Sequence, residues 1–307
     1  MLKILAIITM IIDHIGVFFA PYLSDNLYTL CRDIGRIAFP IYAYLIFAGY
    51  KRTSNVVRYF FRLLIFAGLA EVAETYAFSW AGENKEFGNI FLLLALGLVI
   101  LTALDCIWGS SRTRLVRLKP IQSTATYPPM PTMDPRHKDP EGRLDDDPED
   151  ENYTYAPFNP GVFLLPPKVG MALGAFLLFV VFAFVMVFEI SYSSYGLLTI
   201  MAFYLVDKVY EELTQTGVQA SFPAAKIKIF LGLGVFASLN LGFLLLQEYC
   251  PHLSFYMSVE QSFAIFAIPC IYLIPEGEKP NRYLQLFYYS IYPLHLLILG
   301  LLRLLLA

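Results

Sequence analysis

LKILAIITMIIDHIG, residues 2–16, opens the chain with an apolar run broken near its end by one ionisable pair, Asp13 and His14. The run is long and does not alternate, so it reads as a helix and not as a strand. A charged side chain at the centre of a bilayer costs roughly 2.5–3.5 kcal/mol on insertion scales, and such residues face a bundle interior or a water-filled cavity. The run is therefore expected to be a membrane helix that turns a functional pair inward. It lacks a small-residue cleavage site and reads as a retained first span, not as a signal peptide. At 1.5 Å per residue, the step from Lys3 to His14 rises roughly 16 Å. With Lys3 at one interface, His14 lies near the middle of a ~30 Å hydrocarbon core.

The rest of the chain extends this reading. Of its 307 residues, 57% are hydrophobic and only 15% are charged, whereas soluble domains carry about 25% charged residues. The net charge of −3 comes largely from one acidic stretch, and no basic excess points to nucleic acid. Runs of about 20 mostly apolar residues recur near 3–21, 34–50, 56–77, 88–108, 169–190, 194–210, 226–247, 259–274 and 283–305. The expected fold is an all-α, polytopic transmembrane helix bundle of about nine spans. Residues 120–160, with TYPPMPTMDP and EGRLDDDPEDEN, cannot bury enough apolar surface to offset the entropy of ordering them. They read as one disordered, acidic cytoplasmic loop. The organisation is then a first membrane block at 1–108, an insertion at 109–168 and a second membrane block at 169–307.

Basic residues set the orientation. Lys3, Lys51, Arg52 and Arg58, then Arg112, Arg114, Arg117 and Lys119, then Lys208, Lys226 and Lys228, then Lys279 and Arg282 all fall on one side of such a bundle. The positive-inside rule makes that side, and the N-terminus, cytoplasmic. Cys31, Cys106, Cys250 and Cys270 show no metal-ligand spacing. Cys31 and Cys250 fall in loops on the same outer face, but spacing alone does not establish a disulfide.

Several constellations could carry chemistry. His295 lies thirteen residues after Arg282, roughly 20 Å along its span, so it reaches a depth similar to that of His14. A neutral imidazole suits a general base near physiological pH. Adjacent helix positions point about 100° apart, so Asp13 is expected to pair with a basic group on another span, such as Arg36. Arg32–Asp33–Ile34–Gly35–Arg36–Ile37–Ala38–Phe39–Pro40 stands at the entrance to span 2. A guanidinium there could meet a carboxylate, a phosphate or a developing oxyanion, and Pro40 is expected to leave a backbone carbonyl free. Lys51, Arg58 and Arg62 follow, with the two arginines on one helix face, able to grip an anionic cofactor. Glu71 and Glu74 are a possible polar lining, Asn240 and Glu189 are isolated, and Tyr292 lies one turn from His295. Walker A, GxGxxG, HExxH and nucleophile-elbow patterns are absent. No metal is required.

LKILAIITMIIDHIG (2–16), IGRIAFPIYAYLIFAGYKRT (34–53), VVRYFFRLLIFAGLAE (56–71), QSFAIFAIP (261–269) and YYSIYPLHLLIL (288–299) together resemble the TraX family of membrane acetyltransferases, named for an F-pilin N-acetyltransferase. Related transmembrane acyltransferases carry a basic residue and, after ten others, a histidine in the first span; Lys3 and His14 are similar. The chain departs from the family at AEVAETYAF (70–78) and LIPEGEKPN (273–281). The resemblance implies transfer of an acetyl group from acetyl-CoA, a small-molecule acyl donor on the cytoplasmic side, to a pilin amine or an envelope glycan hydroxyl. Its setting is membrane lipid, without nucleic acid. His14 is then the base, with Asp13 and Arg36 beside it. Arg58, Arg62 and Lys51 hold the donor's phosphates, and His295 and Tyr292 line the cavity. The rival expectation is a transporter or channel that uses Asp13, His14 and Arg36 as a proton or anion relay. A non-catalytic membrane scaffold is a third.

Overall fold

A computed structural model describes residues 1–82, 89–111, 167–188, 190, 192–215, 223–249, 259–274 and 281–306. The apolar runs become helices: α1 (Leu2–Phe18), α3 (Ala38–Arg52), α4 (Val56–Ala81), α5 (Ile90–Ser111), α6 (Pro167–Val187), α7 (Ser193–Gln215), α8 (Ala224–Tyr249), α9 (Ala267–Leu273) and α10 (Arg282–Leu306). Short 3-10 segments, Ala20–Tyr22 and Val259–Phe266, follow α1 and precede α9. No strand occurs among the described residues. Ile90–Trp108, Lys168–Val187, Ala224–Tyr249 and Tyr283–Leu306 are long and apolar enough to cross a membrane by length and composition. The other helices at expected spans are shorter, such as the 15-residue α3, or carry more charge, as α4 does with Arg58, Arg62, Glu71 and Glu74. The insertion expected at 120–160, Glu189 and Cys250 lie outside the described residues.

One element departs from the expectation. The segment between the first two apolar runs is not a loop but helix α2 (Asp25–Gly35). It packs against α1. Gly35 permits this approach, because a Cβ there would overlap the Asp13 carboxylate. Cys31 lies on α2 as a buried free thiol, and Cys250, its possible partner, lies outside the described residues. Pro40 stands in the first turn of α3, where no intrahelical bond depends on its missing N–H.

The pattern of burial is inverted relative to a soluble protein. Along α4, Val57, Phe61, Ile65, Leu69, Val72 and Tyr76 form an outward apolar stripe, while Glu74 is buried. Asn240, Gln261 and His295 are buried as well. A surface of apolar side chains over a partly polar interior fits a bilayer, where polar groups must find partners inside the bundle. The core runs from α3 through α5 to α7 and α8, with Phe39, Ile41, Leu98, Phe203 and Phe236 fully buried. Half of the α5 span is buried, against 22% for α6, α8 and α10, so α5 is the most enclosed of these four. α10 packs along α4, where Gly300 admits the Ala77 backbone; a Cβ on Gly300 would lie 2.7 Å from Ala77 Cα.

Charged side chains gather at one end of the bundle. Asp207 on α7 pairs with Lys51 of α3 and with Lys228 of α8, the latter at 3.0 Å. Asp105 on α5 accepts from the Tyr50 hydroxyl at 2.7 Å and from the Tyr204 hydroxyl at 2.8 Å. At the opposite end, Arg303 donates to the Tyr22 hydroxyl at 2.5 Å, and that hydroxyl donates to the Leu306 carbonyl at 3.1 Å.

Candidate active site

The first and last helices meet at their histidines. His14 Nδ1 lies 2.9 Å from the Met10 carbonyl, and His295 Nδ1 lies 2.9 Å from the Ile291 carbonyl. A carbonyl can only accept, so each Nδ1 carries the proton in the neutral ring. His295 Nε2 is then an acceptor, and it lies 3.2 Å from His14 Nδ1. The His14 Nδ1–H is shared between Met10 and His295. This fixes the His14 tautomer and leaves Nε2 with the lone pair, the form required of a base. His295 thus contacts His14 directly.

Tyr292 and His295 are brought together on α10 by one helical turn. The Tyr292 ring stands edge-on to both imidazoles, with centroids 6.1 Å from His14 and 5.6 Å from His295. Its hydroxyl donates to Glu74 Oε1 on α4 at 2.6 Å. Pro293 sits between the two site residues inside α10 and removes one helical hydrogen bond there.

Asp13 turns away from His14, as adjacent helix positions must. Its partner is Arg32, at 2.8 Å, and not Arg36. Because Asp25–Gly35 form a helix, Arg32 is the basic residue of that helix that meets Asp13. Arg36, one turn on, donates to Gln261 Oε1 at 3.3 Å. Gln261 opens the QSFAIFAIP stretch quoted above, but the sequence did not mark it as a partner of Arg36.

The basic residues at the other end divide. Arg62 faces inward, with its guanidinium 4.8 Å from the Tyr59 ring centroid and 5.6 Å from that of Tyr289. Its Nη1 donates to Gln285 at 3.3 Å, while its Nε is buried without a hydrogen-bond partner among the described residues. Lys3 lies 5.4 Å over the Tyr288 ring. Arg58, one turn earlier than Arg62, is exposed. Lys51 is engaged with Asp207 and Glu211, so it belongs to the ion-pair cluster of α7.

Comparison with known proteins gives a consistent picture. A family model described as TraX protein matches residues 1–118. The chain is 30% identical over 109 residues to a probable fimbrial assembly protein FimC, serogroup H1, of Dichelobacter nodosus, covering 33% of this chain and 43% of that protein. It is 35% identical over 99 residues to an uncharacterised protein of Rickettsia prowazekii (strain Madrid E), covering 32% of this chain and 34% of that protein. The chain thus matches less than half the length of each of these relatives. No solved structure matches it. The segment that builds α1 to α5, and with them His14, Asp13, Arg36 and Arg62, therefore carries the TraX family match that its motifs lead one to expect.

Proposed function

We propose that the chain is a membrane acyltransferase that moves an acetyl group from acetyl-CoA to an amine or hydroxyl acceptor. The observation that carries this reading is the His14–His295 contact, which leaves His14 Nε2 unprotonated in the interior of the bundle. In the proposed reaction, His14 Nε2 takes the proton of the acceptor N–H or O–H. The freed electron pair attacks the thioester carbonyl, and the C–S bond then breaks, so that coenzyme A leaves as thiolate and takes up a proton. Arg36 is the proposed donor to the oxyanion formed at the carbonyl. Arg62 and Arg58 hold the donor's phosphates, with Arg62 the closer contact, since its Nε is buried with no hydrogen-bond partner among the described residues. The gathering of Lys51, Lys228 and Arg62 at one end of the bundle supports placing that end, and the N-terminus, in the cytoplasm. FimC is described as a probable fimbrial assembly protein, which supports a pilin-like N-terminal amine as acceptor; an envelope glycan hydroxyl is the other acceptor class.

The test is incubation of the purified full chain with radiolabelled acetyl-CoA and a panel of pilin N-terminal peptides and glycans, with His14→Ala alongside. Labelled product from wild type and not from the variant is expected. Neither binding nor product from wild type would overturn the reading. A proteoliposome flux of protons or anions that depends on Asp13 would favour the relay instead.

A further inference from the structure

One buried carboxylate near the histidine pair has no part in the reaction above. Glu74, on α4, is only 6% exposed and accepts the Tyr292 hydroxyl at 2.6 Å. Tyr292 in turn contacts both imidazoles edge-on, so a single tyrosine separates Glu74 from the pair.

Other charged and titratable groups also stand near the pair. Asp13 on α1 and Arg32 on α2 neutralise one another. Tyr42 on α3 donates to Met10 Sδ. Arg36, beyond α2, donates to Gln261, and Tyr192, before α7, stands near Arg36 and also faces Tyr292. Glu74 is the acid whose hydrogen bond runs into the histidine pocket itself.

We propose that Glu74 is the counter-charge of the His14–His295 pair, held in place by Tyr292. When His14 Nε2 accepts a proton, the pair gains one positive charge, shared through the Nδ1–H···Nε2 contact. The Glu74 carboxylate stabilises that cation across a medium of low dielectric. No electrons are exchanged, and the proton leaves by the way it came or with the departing thiolate. Glu74 acts through Tyr292 and is a positioning residue.

This inference rests on the pair being a proton acceptor, as in the proposed function, but its test needs no acyl donor. The full chain is labelled with 15N-histidine, placed in lipid nanodiscs and titrated by NMR, with His14→Asn and His295→Asn used for assignment. Glu74→Gln is expected to move the protonation midpoint of the pair about one pH unit lower, a tenfold loss of proton affinity. Glu74→Asp, which keeps the charge, is expected to leave it near wild type. Should the glutamine variant not fold, Glu74→Met supplies the neutral comparison. An unmoved midpoint in the neutral variant, or an equal shift in Glu74→Asp, would overturn the proposal. A shift without acetyl transfer would sink the enzyme reading and leave the counter-charge standing.

Discussion

His295 Nε2 reaches His14 Nδ1 at 3.2 Å across 281 residues of chain. The contact makes unequal partners of two rings of the same kind. One has its second nitrogen occupied by its neighbour, and the other has it open.

That inequality predicts unequal losses. A general base contributes about 10²–10⁴-fold, so His14→Ala should lower kcat by that order with KM for acetyl-CoA little changed. His295→Asn should cost roughly tenfold, since it removes orientation and not the base itself. Equal losses in a steady-state acetylation assay would mean that the roles are not divided in this way.

The Asp13–Arg32 pair is mostly buried, with side-chain exposures of 15% and 18%. Leaving one such charge without its partner costs about 3–5 kcal/mol. Arg32→Leu should therefore destabilise the protein strongly in a detergent thermal-shift measurement. The double variant Asp13→Leu/Arg32→Leu should recover much of that loss, and Arg36→Leu should not mimic it.

Close approach at two glycines can be probed by adding one methyl group. Gly35→Ala collides with Asp13, and Gly300→Ala collides with the Ala77 backbone. Overpacking costs typically about 1–3 kcal/mol. Both variants should lower the melting temperature, and Gly35→Ala should also disturb the Asp13–Arg32 pair.

Arg62 and Lys51 should separate in a binding titration. Arg62→Ala is expected to weaken acetyl-CoA binding about tenfold, or 1.4 kcal/mol. Lys51→Met should leave that affinity unchanged and lower stability instead, because its partner Asp207 retains only Lys228. A loss of affinity in Lys51→Met would return Lys51 to the donor site.

Hydropathy was enough to locate α1 and α3 to α10, because a bilayer demands long apolar runs. Rise per residue was enough to set His14 and His295 at a common depth. Helix α2 escaped notice for a physical reason: its eleven residues mix Leu27, Tyr28 and Leu30 with Asp25, Arg32 and Asp33, so no span-length apolar signal exists. Missing that helix moved the partner of Asp13 by one turn, from Arg32 to Arg36. Glu74 was visible as an acid in an apolar run, but its partner Tyr292 lies 218 residues away, and such a pairing leaves no local trace. Arg62 lies one turn deeper than Arg58 in the sequence, and its packing against Tyr59 and Tyr289 shows that it faces inward.

The meeting of the first helix with the last also carries a clock. Synthesis proceeds at roughly 5–20 residues per second, so His14 precedes His295 out of the ribosome by an interval on the order of tens of seconds. During that time α1 holds an imidazole in the membrane without its eventual neighbour, while Asp13 can meet Arg32 almost at once. The Asp13–Arg32 pair can thus form within the first two helices long before the last helix brings His295 to His14.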